Sequence, residues 1–103
     1  MVHYLFDTRG SWVAFAMGQY VYAASGSRCI GWFAFGDEDV ITLQGRYLGT
    51  VVGDRLVHFI SHPNRGNPGN PGNPGNPGNP GNPGNAGASG SIGGARDVQA
   101  GDY

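Results

Sequence analysis

Residues 44–55 read Gln-Gly-Arg-Tyr-Leu-Gly-Thr-Val-Val-Gly-Asp-Arg, one short apolar segment between two glycine turns. Its β-branched and aromatic side chains favour a strand, and glycine followed by a polar residue is typical of tight turns. These two turn glycines continue a series with intervals of eight to ten residues, formed by Gly10, Gly18, Gly26, Gly36, Gly45 and Gly53. This spacing predicts a meander of short strands and no helices.

The same pattern predicts seven strands, at 2–6, 11–17, 20–22, 29–35, 40–43, 47–52 and 56–60. The turns between them alternate between two kinds, such as Asp-Thr-Arg-Gly at 7–10 and Gly-Asp-Arg at 53–55. Each turn of the first kind is followed by an apolar residue and a small one. The chain therefore contains three copies of a unit of about 16–19 residues, with an incomplete fourth copy after residue 56.

The small residues of the three copies, Ala14, Gly31 and Gly49, lie inside predicted strands. Glycine in a strand weakens it, and it often marks a place where another backbone approaches closely. Such crowding is expected where repeats surround an axis, whereas an open sheet would leave two exposed edges. We therefore predict an all-β fold in which the hairpins form a closed radial arrangement or shallow barrel.

The motifs Phe-Asp-x-x-Gly at 6–10 and Gly-Arg-Tyr-Leu-Gly at 45–49 belong to this repeat. In these motifs the chain resembles the 4-fold β-flower domain, a small bacterial domain whose hairpin petals surround a pseudo-four-fold axis. The resemblance covers residues 3–66. The chain departs from it in the fourth petal, where His-Pro-Asn-Arg-Gly at 62–66 replaces a returning strand. The resemblance implies a fold but no catalytic residues.

From Gly66 onward the composition changes to six Gly-Asn-Pro triplets, and glycine keeps every third position up to Gly93. These residues have no side chains that form a core, so we predict a β-flower-like domain at 1–65 and a disordered tail at 66–103. Two alternatives stay open. The tail could form a collagen-type triple helix, or its last residues, 95–103, could return to complete the fourth petal.

Composition limits the classes of partner and the location. The chain has no lysine, and residues 1–65 carry five arginines against five acidic residues, so nucleic-acid binding is not expected. The single cysteine, Cys29, has no internal disulfide partner, and residues 1–9 lack the features of a signal peptide. We therefore favour a cytoplasmic location. No apolar run approaches the roughly 20 residues of a membrane span.

Few residues offer material for catalysis or metal binding. His3 and His58 with Asp7 could in principle hold a metal, but surface histidines on a sheet are the simpler interpretation. The acidic run at 37–39 lacks the spacing of a calcium loop and is interpreted as a solvated turn. Cys29 lies in an apolar strand and is interpreted as packing. We predict no catalytic, cofactor or metal site.

A last candidate is a stacking surface. Eight aromatic residues, together with Arg9, Arg28 and Arg46 in equivalent turns, could stack on single-stranded nucleic acid or a sugar: Trp12, Phe15, Tyr20, Tyr22, Trp32, Phe33, Phe35 and Tyr47. A small domain, however, needs most of its large side chains for its core. The sequence thus predicts a non-enzymatic binding or interaction module with a flexible tail. The alternative is a lipid- or small-ligand-binding β module, with apolar side chains lining a shallow barrel mouth. The expected partner is a protein or a small apolar ligand.

Overall fold

A closed seven-stranded β-barrel forms the body of the protein in a computed structural model, which describes residues 2–26 and 28–103. The strands are β1 (Val2–Phe6), β2 (Trp12–Met17), β3 (Tyr20–Ala23), β4 (Cys29–Trp32), β5 (Asp39–Ile41), β6 (Tyr47–Val52) and β7 (Arg55–Phe59). Each is antiparallel to the next in chain order. A parallel bridge between Phe6 and Arg55 joins β1 to β7 and closes the barrel.

All seven predicted strands are confirmed, but β4 is shorter than the predicted segment at 29–35. After Trp32 the chain enters a turn in which the Gly36 N–H donates to the Phe33 carbonyl at 3.3 Å. Gly36 in this turn has a φ of 73°, which a strand does not contain and which glycine adopts without strain. Within the described residues, no helix is long and apolar enough to span a membrane.

The turns confirm the internal repeat. In the first repeat the Gly10 N–H donates to the Asp7 carbonyl, and in the third the Gly45 N–H donates to the Thr42 carbonyl. Gly10 and Gly45 have nearly the same φ, 94° and 93°. The Asp7 and Thr42 side chains are both buried, and each accepts a backbone N–H from the far side of its turn. Two turns that are distant in sequence therefore have the same local structure.

The small residues inside the strands are crowded, as predicted. A Cβ atom on Gly31 would lie 2.8 Å from the carbonyl oxygen of Ile41, and one on Gly49 would lie 2.7 Å from that of Val57. Ala14, the equivalent residue of β2, is fully buried. Both glycines therefore allow a close approach of neighbouring strands that any side chain would block.

The barrel interior is filled by small and medium-sized aliphatic side chains from every strand and from the chain beyond them. The cluster consists of Leu5, Ala14, Ala16, Val21, Ala23, Ile30, Val40, Leu48, Val51, Leu56 and Val98. The aromatic side chains of β2 and β3 are not part of it, although several of them are buried.

An eighth strand, β8 (Ala95–Asp97), pairs antiparallel with β7, and a 3-10 turn (Ala100–Asp102) follows it. The structure thus differs at 95–103 from the predicted disordered tail and agrees with the alternative of a returning segment. The physical reason is burial: Val98 joins the core and β8 pairs with β7. Residues 61–94 form no helix or strand, and disorder of residues 66–94 stays a prediction.

Candidate functional site

A row of aromatic side chains crosses the outside of β1, β2 and β3. Tyr4 pairs with Phe15 across β1 and β2, and Phe15 pairs with Tyr22 across β2 and β3. Successive side chains of a strand point to opposite faces, so these three lie on the face opposite the core residues Ala14 and Ala16. Tyr20 is on the same face, two residues before Tyr22. We call Tyr4, Phe15, Tyr20 and Tyr22 the aromatic track.

Two rings of the track stack on each other, and a third contacts the neighbouring Trp12. Phe15 and Tyr22 are stacked with their centroids 5.3 Å apart, and Trp12 meets Tyr4 edge to face at 5.7 Å. Both distances lie in the range of favourable aromatic pairs. Phe15 is nevertheless 0% exposed and Tyr22 only 3% exposed, although both lie on the outer face of the barrel. A further part of the chain must therefore cover them.

The Gly-Asn-Pro segment provides this cover. Three tyrosine hydroxyls of the track donate to proline carbonyls: Tyr20 to Pro71, Tyr22 to Pro74 at 2.9 Å and Tyr4 to Pro80 at 2.6 Å. The acceptors are separated by three and by six residues, in phase with the triplet repeat. The segment therefore crosses the barrel in one direction, from β3 to β1.

Burial within the segment has the same period of three. The glycines and asparagines at 69–79 are exposed, whereas the prolines of the first five triplets are partly buried: Pro68, Pro71, Pro74, Pro77 and Pro80. The segment therefore presents a continuous proline-bearing side to the barrel. An apolar surface offers no acceptor to a backbone N–H that packs against it. Proline suits this position because it has no backbone N–H.

A hydrogen bond also joins each triplet to the next one. The side-chain oxygen of every asparagine from Asn64 to Asn85 accepts the N–H of the glycine two residues later, at 2.7 to 3.0 Å. The glycines that follow have positive φ, for example 74° at Gly72 and 71° at Gly75. Asparagine and glycine are the residues that such turns favour. The proline carbonyls are left available to the tyrosines.

A polar cluster holds the start of the segment after β7. The Asp39 carboxylate accepts hydrogen bonds from the Thr50 hydroxyl, His62 Nε2 and Arg65 Nη1 at 2.8, 2.8 and 3.0 Å. Arg65 also pairs with Asp37, and the His62 ring stacks on Tyr47 at 3.6 Å. Burial opposes ionisation of Asp39, but the three hydrogen bonds outweigh it and lower the pKa of its carboxyl. We call Asp37, Asp39, His62 and Arg65 the acidic clasp.

The far end of the segment is held mainly by backbone groups near the first turn. The Ala86 N–H donates to the Gly10 carbonyl at 2.9 Å, and the Ser89 N–H donates to the Thr8 carbonyl at 2.8 Å. The Asp97 carboxylate in turn accepts the N–H and the hydroxyl of Thr8, at 2.8 and 2.9 Å. The segment is therefore tied to the barrel at both ends and along the track.

The residues considered for metal binding have local partners instead. His58 Nδ1 donates to the Leu48 carbonyl at 2.8 Å, and the Asp7 carboxylate accepts from the backbone of its own turn. His3 is exposed. Among the described residues, no group of three or more candidate ligands lies together. Burial raises the pKa of the Cys29 thiol, which disfavours the reactive thiolate.

The interpretation of residues 37–39 as a solvated turn agrees with the exposed Asp37 and Glu38 but needs a correction at Asp39. Asp39 begins β5, and its side chain is only 14% exposed because the segment after β7 folds over it. The sequence contains no local signal for this contact, since His62 and Arg65 are more than twenty residues away. The predicted stacking surface likewise includes three residues of the aromatic track, Phe15, Tyr20 and Tyr22, but not Tyr4, and the sequence gives no sign that the four form one unit.

A small cavity of about 180 Å³ lies at the barrel mouth near the C-terminus. Its lining includes Val13, Ile30 and Leu56, together with Val98 and Tyr103 from the returning segment. The guanidinium of Arg28, one of the arginines considered for stacking, lies over the Tyr103 ring at 5.5 Å. The C-terminal residues therefore occupy much of the mouth that the small-ligand hypothesis requires.

Comparison with known proteins provides no relative: no family model, curated protein or solved structure matches this chain.

Proposed function

We propose that this protein is a non-enzymatic interaction module whose binding surface is the aromatic track and whose ligand is a proline-rich peptide. The observation that carries the proposal is the period of three shared by the burial of prolines Pro68 to Pro80 and by the tyrosine-to-proline hydrogen bonds. The chain's own Gly-Asn-Pro segment occupies the surface and serves as its intramolecular ligand.

The chemistry of the track is suited to such a ligand. Proline fixes its own φ, so a peptide with proline at every third position loses less conformational entropy on binding, and aromatic grooves recognise proline-rich segments in several unrelated domains. Phe15 and Tyr22 form a stacked, buried aromatic pair on the outer face of the barrel, and the hydroxyls of Tyr4, Tyr20 and Tyr22 donate to proline carbonyls of the segment. The segment has no charged side chain between Arg65 and Arg96, so binding does not depend on ion pairs along the track.

A test removes the three hydroxyls and keeps the rings. In a variant with Tyr4→Phe, Tyr20→Phe and Tyr22→Phe, three hydrogen bonds worth about 0.5–1.5 kcal/mol each are lost. We expect cleavage within residues 66–84 by a permissive protease to become at least about tenfold faster, while the β-sheet circular dichroism is retained.

The matched control is Tyr103→Phe, which removes a hydroxyl outside the track. It should leave the cleavage rate unchanged. If the triple variant is cut at the wild-type rate, the hydroxyls do not hold the segment and the proposed recognition is wrong.

We also propose that the barrel is a β-flower-like arrangement of four hairpins. Antiparallel pairing of β1 with β2, β3 with β4 and β5 with β6 supports three petals, each joined by a turn of the first kind. The pairing of β7 with β8 supports a fourth, in which the Gly-Asn-Pro segment stands in place of the turn. A cytoplasmic location stays a prediction.

The alternative function is binding of a small apolar ligand at the barrel mouth, which the apolar lining of the cavity favours. The cavity of about 180 Å³ is smaller than the ~300–1,000 Å³ of usual ligand pockets. Titration with an apolar fluorescent dye tests this function. Saturable binding to the full chain that Tyr103→Trp abolishes would support it, and the absence of binding would contradict it.

A further inference from the structure

We propose that the aromatic track selects Asn-Pro-Gly units and not proline-rich peptides in general. Its ligands would then carry asparagine before each bound proline and glycine after it. This inference rests on the proposed function of the track and narrows its ligand class. In this chain the bound units lie within residues 70–81, where Pro71, Pro74 and Pro80 accept the three tyrosine hydroxyls.

The backbone of the bound segment is not a polyproline helix. Such a helix has a φ of about −75° at every residue. In the segment, glycine at every third position has a φ of the opposite sign, with values of 87°, 74°, 71° and 75° at Gly69, Gly72, Gly75 and Gly78. A polyproline peptide, in which every φ is negative, therefore cannot follow the path of this segment over the track.

The glycines are required for their backbone conformation and not for their small size. A Cβ atom on Gly69, Gly75 or Gly78 would have open space around it, with no atom of a non-neighbouring residue within 4 Å. Residues other than glycine rarely adopt a φ in this range, so alanine would strain the backbone although it has room. The glycine after each proline is therefore part of what the track selects.

The asparagines stabilise this conformation from the solvent side of the segment. Asn70, Asn73, Asn76 and Asn79 are exposed, and each side-chain oxygen accepts the N–H of the glycine two residues later, at 2.8 to 3.0 Å. Within residues 66–84, all of which the structure describes, no hydrogen bond joins two backbone groups. The asparagine side chains therefore preorganise the segment, which reduces the entropy lost on binding.

The same hydrogen bond orients the proline carbonyl toward the track. Asn73 and Gly75 flank Pro74, whose carbonyl accepts the Tyr22 hydroxyl at 2.9 Å. The Pro74 carbonyl and the Gly75 N–H belong to one planar trans peptide group, in which they point in opposite directions. Because Asn73 holds the N–H, it also fixes the direction of the carbonyl. The acceptors of the other two tyrosines have the same arrangement.

The first test changes Asn70 and Asn73 in the full chain, since these residues orient the acceptors of Tyr20 and Tyr22. In Asn70→Gln with Asn73→Gln, the longer side chains cannot form the same hydrogen bond. We expect the protection of residues 66–84 from a permissive protease to fall about tenfold. Protection is the cleavage rate of a synthetic peptide with the same residues divided by that of the full chain, so it corrects for the changed sequence.

Two further variants are the controls. Asn70→Asp with Asn73→Asp keeps a side-chain oxygen that accepts the glycine N–H, and should retain the wild-type protection. Asn82→Gln makes the glutamine change before Pro83, which is exposed, and should also have no effect. Wild-type protection in the glutamine double variant, or equal losses in the glutamine and aspartate double variants, would overturn the selection of Asn-Pro-Gly units.

The second test measures the binding of separate peptides. The full-length glutamine double variant, whose own segment is weakened, is titrated with fluorescent peptides of six Asn-Pro-Gly units, six Gln-Pro-Gly units or polyproline of the same length. In fluorescence anisotropy we expect saturable binding of the first peptide and at least about tenfold weaker binding of the other two.

The outcomes separate this inference from the proposed function. Equal binding of the Asn-Pro-Gly peptide and polyproline would overturn the inference and leave the recognition of proline-rich peptides intact. Wild-type protection in both the glutamine double variant and the triple tyrosine-to-phenylalanine variant would contradict the proposed function as well.

Discussion

At the scale of single residues, the protein depends on glycine in two different ways. Gly49 lies in a strand with no unusual φ, and what excludes a side chain there is the carbonyl oxygen of Val57 and the side chain of Val98. Gly53 has open space around it, but its φ is 64°, which disfavours other residues. Crowding and backbone conformation are therefore separate constraints.

These two constraints predict different effects of substitution. Gly49→Val should lower the free energy of unfolding by about 1–3 kcal/mol, because the new atoms meet backbone that cannot move aside. Gly53→Ala should cost about 1 kcal/mol through strain alone. Gly101→Ala, with open space and no positive φ, is the neutral control. Urea denaturation measures all three, and a Gly49→Val variant as stable as Gly101→Ala would refute the close approach of the strands.

At the scale of elements, β8 is short, but it places Val98 in the core. Strand β8 has three residues, and its pairing extends the sheet beyond the closed barrel by one strand. Val98 and Gly49 are in contact, so the space left by the missing side chain of β6 is used by the segment after β8. The Val98 side chain and the space beside Gly49 are thus complementary in shape.

This complementarity predicts that Val98 is important for stability. Val98→Ala should lower the free energy of unfolding by about 1–3 kcal/mol, since it removes buried methyl groups and leaves a cavity. Val52→Ala makes the same chemical change at a position that is 40% exposed, and should stay within about 0.5 kcal/mol of wild type. Equal unfolding midpoints for the two variants in thermal melts would show that β8 does not pack as described.

At the scale of the whole molecule, carboxylates fix several parts of the chain, some close together in sequence and some distant. Asp39 ties the segment after β7 to β5, and Asp102 forms two hydrogen bonds with Arg96 across the C-terminal turn. The Arg96 guanidinium lowers the pKa of Asp102, and hydrogen bonds lower the pKa of Asp7 despite its burial. Ionisation of these carboxyl groups therefore stabilises the folded state.

This arrangement predicts the pH dependence of stability. A carboxyl whose pKa is lower in the folded state stabilises the fold above its unfolded pKa of about 3.9 and loses that effect as the pH falls through the folded value. The free energy of unfolding should therefore fall between about pH 5 and pH 2. In Asp39→Asn the fall should be smaller, since one of these groups no longer titrates. Parallel pH profiles for the variant and the wild type would contradict the role of the acidic clasp.

The sequence by itself determined the strands, the turns and the crowded positions, because these depend on neighbours along the chain. Glycine at Gly10 and Gly45 allows the positive φ of each turn, and the alternation of apolar residues sets the core face. The track and the clasp were decided only by the tertiary structure. Tyr22 meets Pro74 and Asp39 meets His62 because the barrel closes and the segment returns across it. No local pattern specifies such contacts, since a triplet repeat has the same sequence whether it binds a surface or remains in solvent.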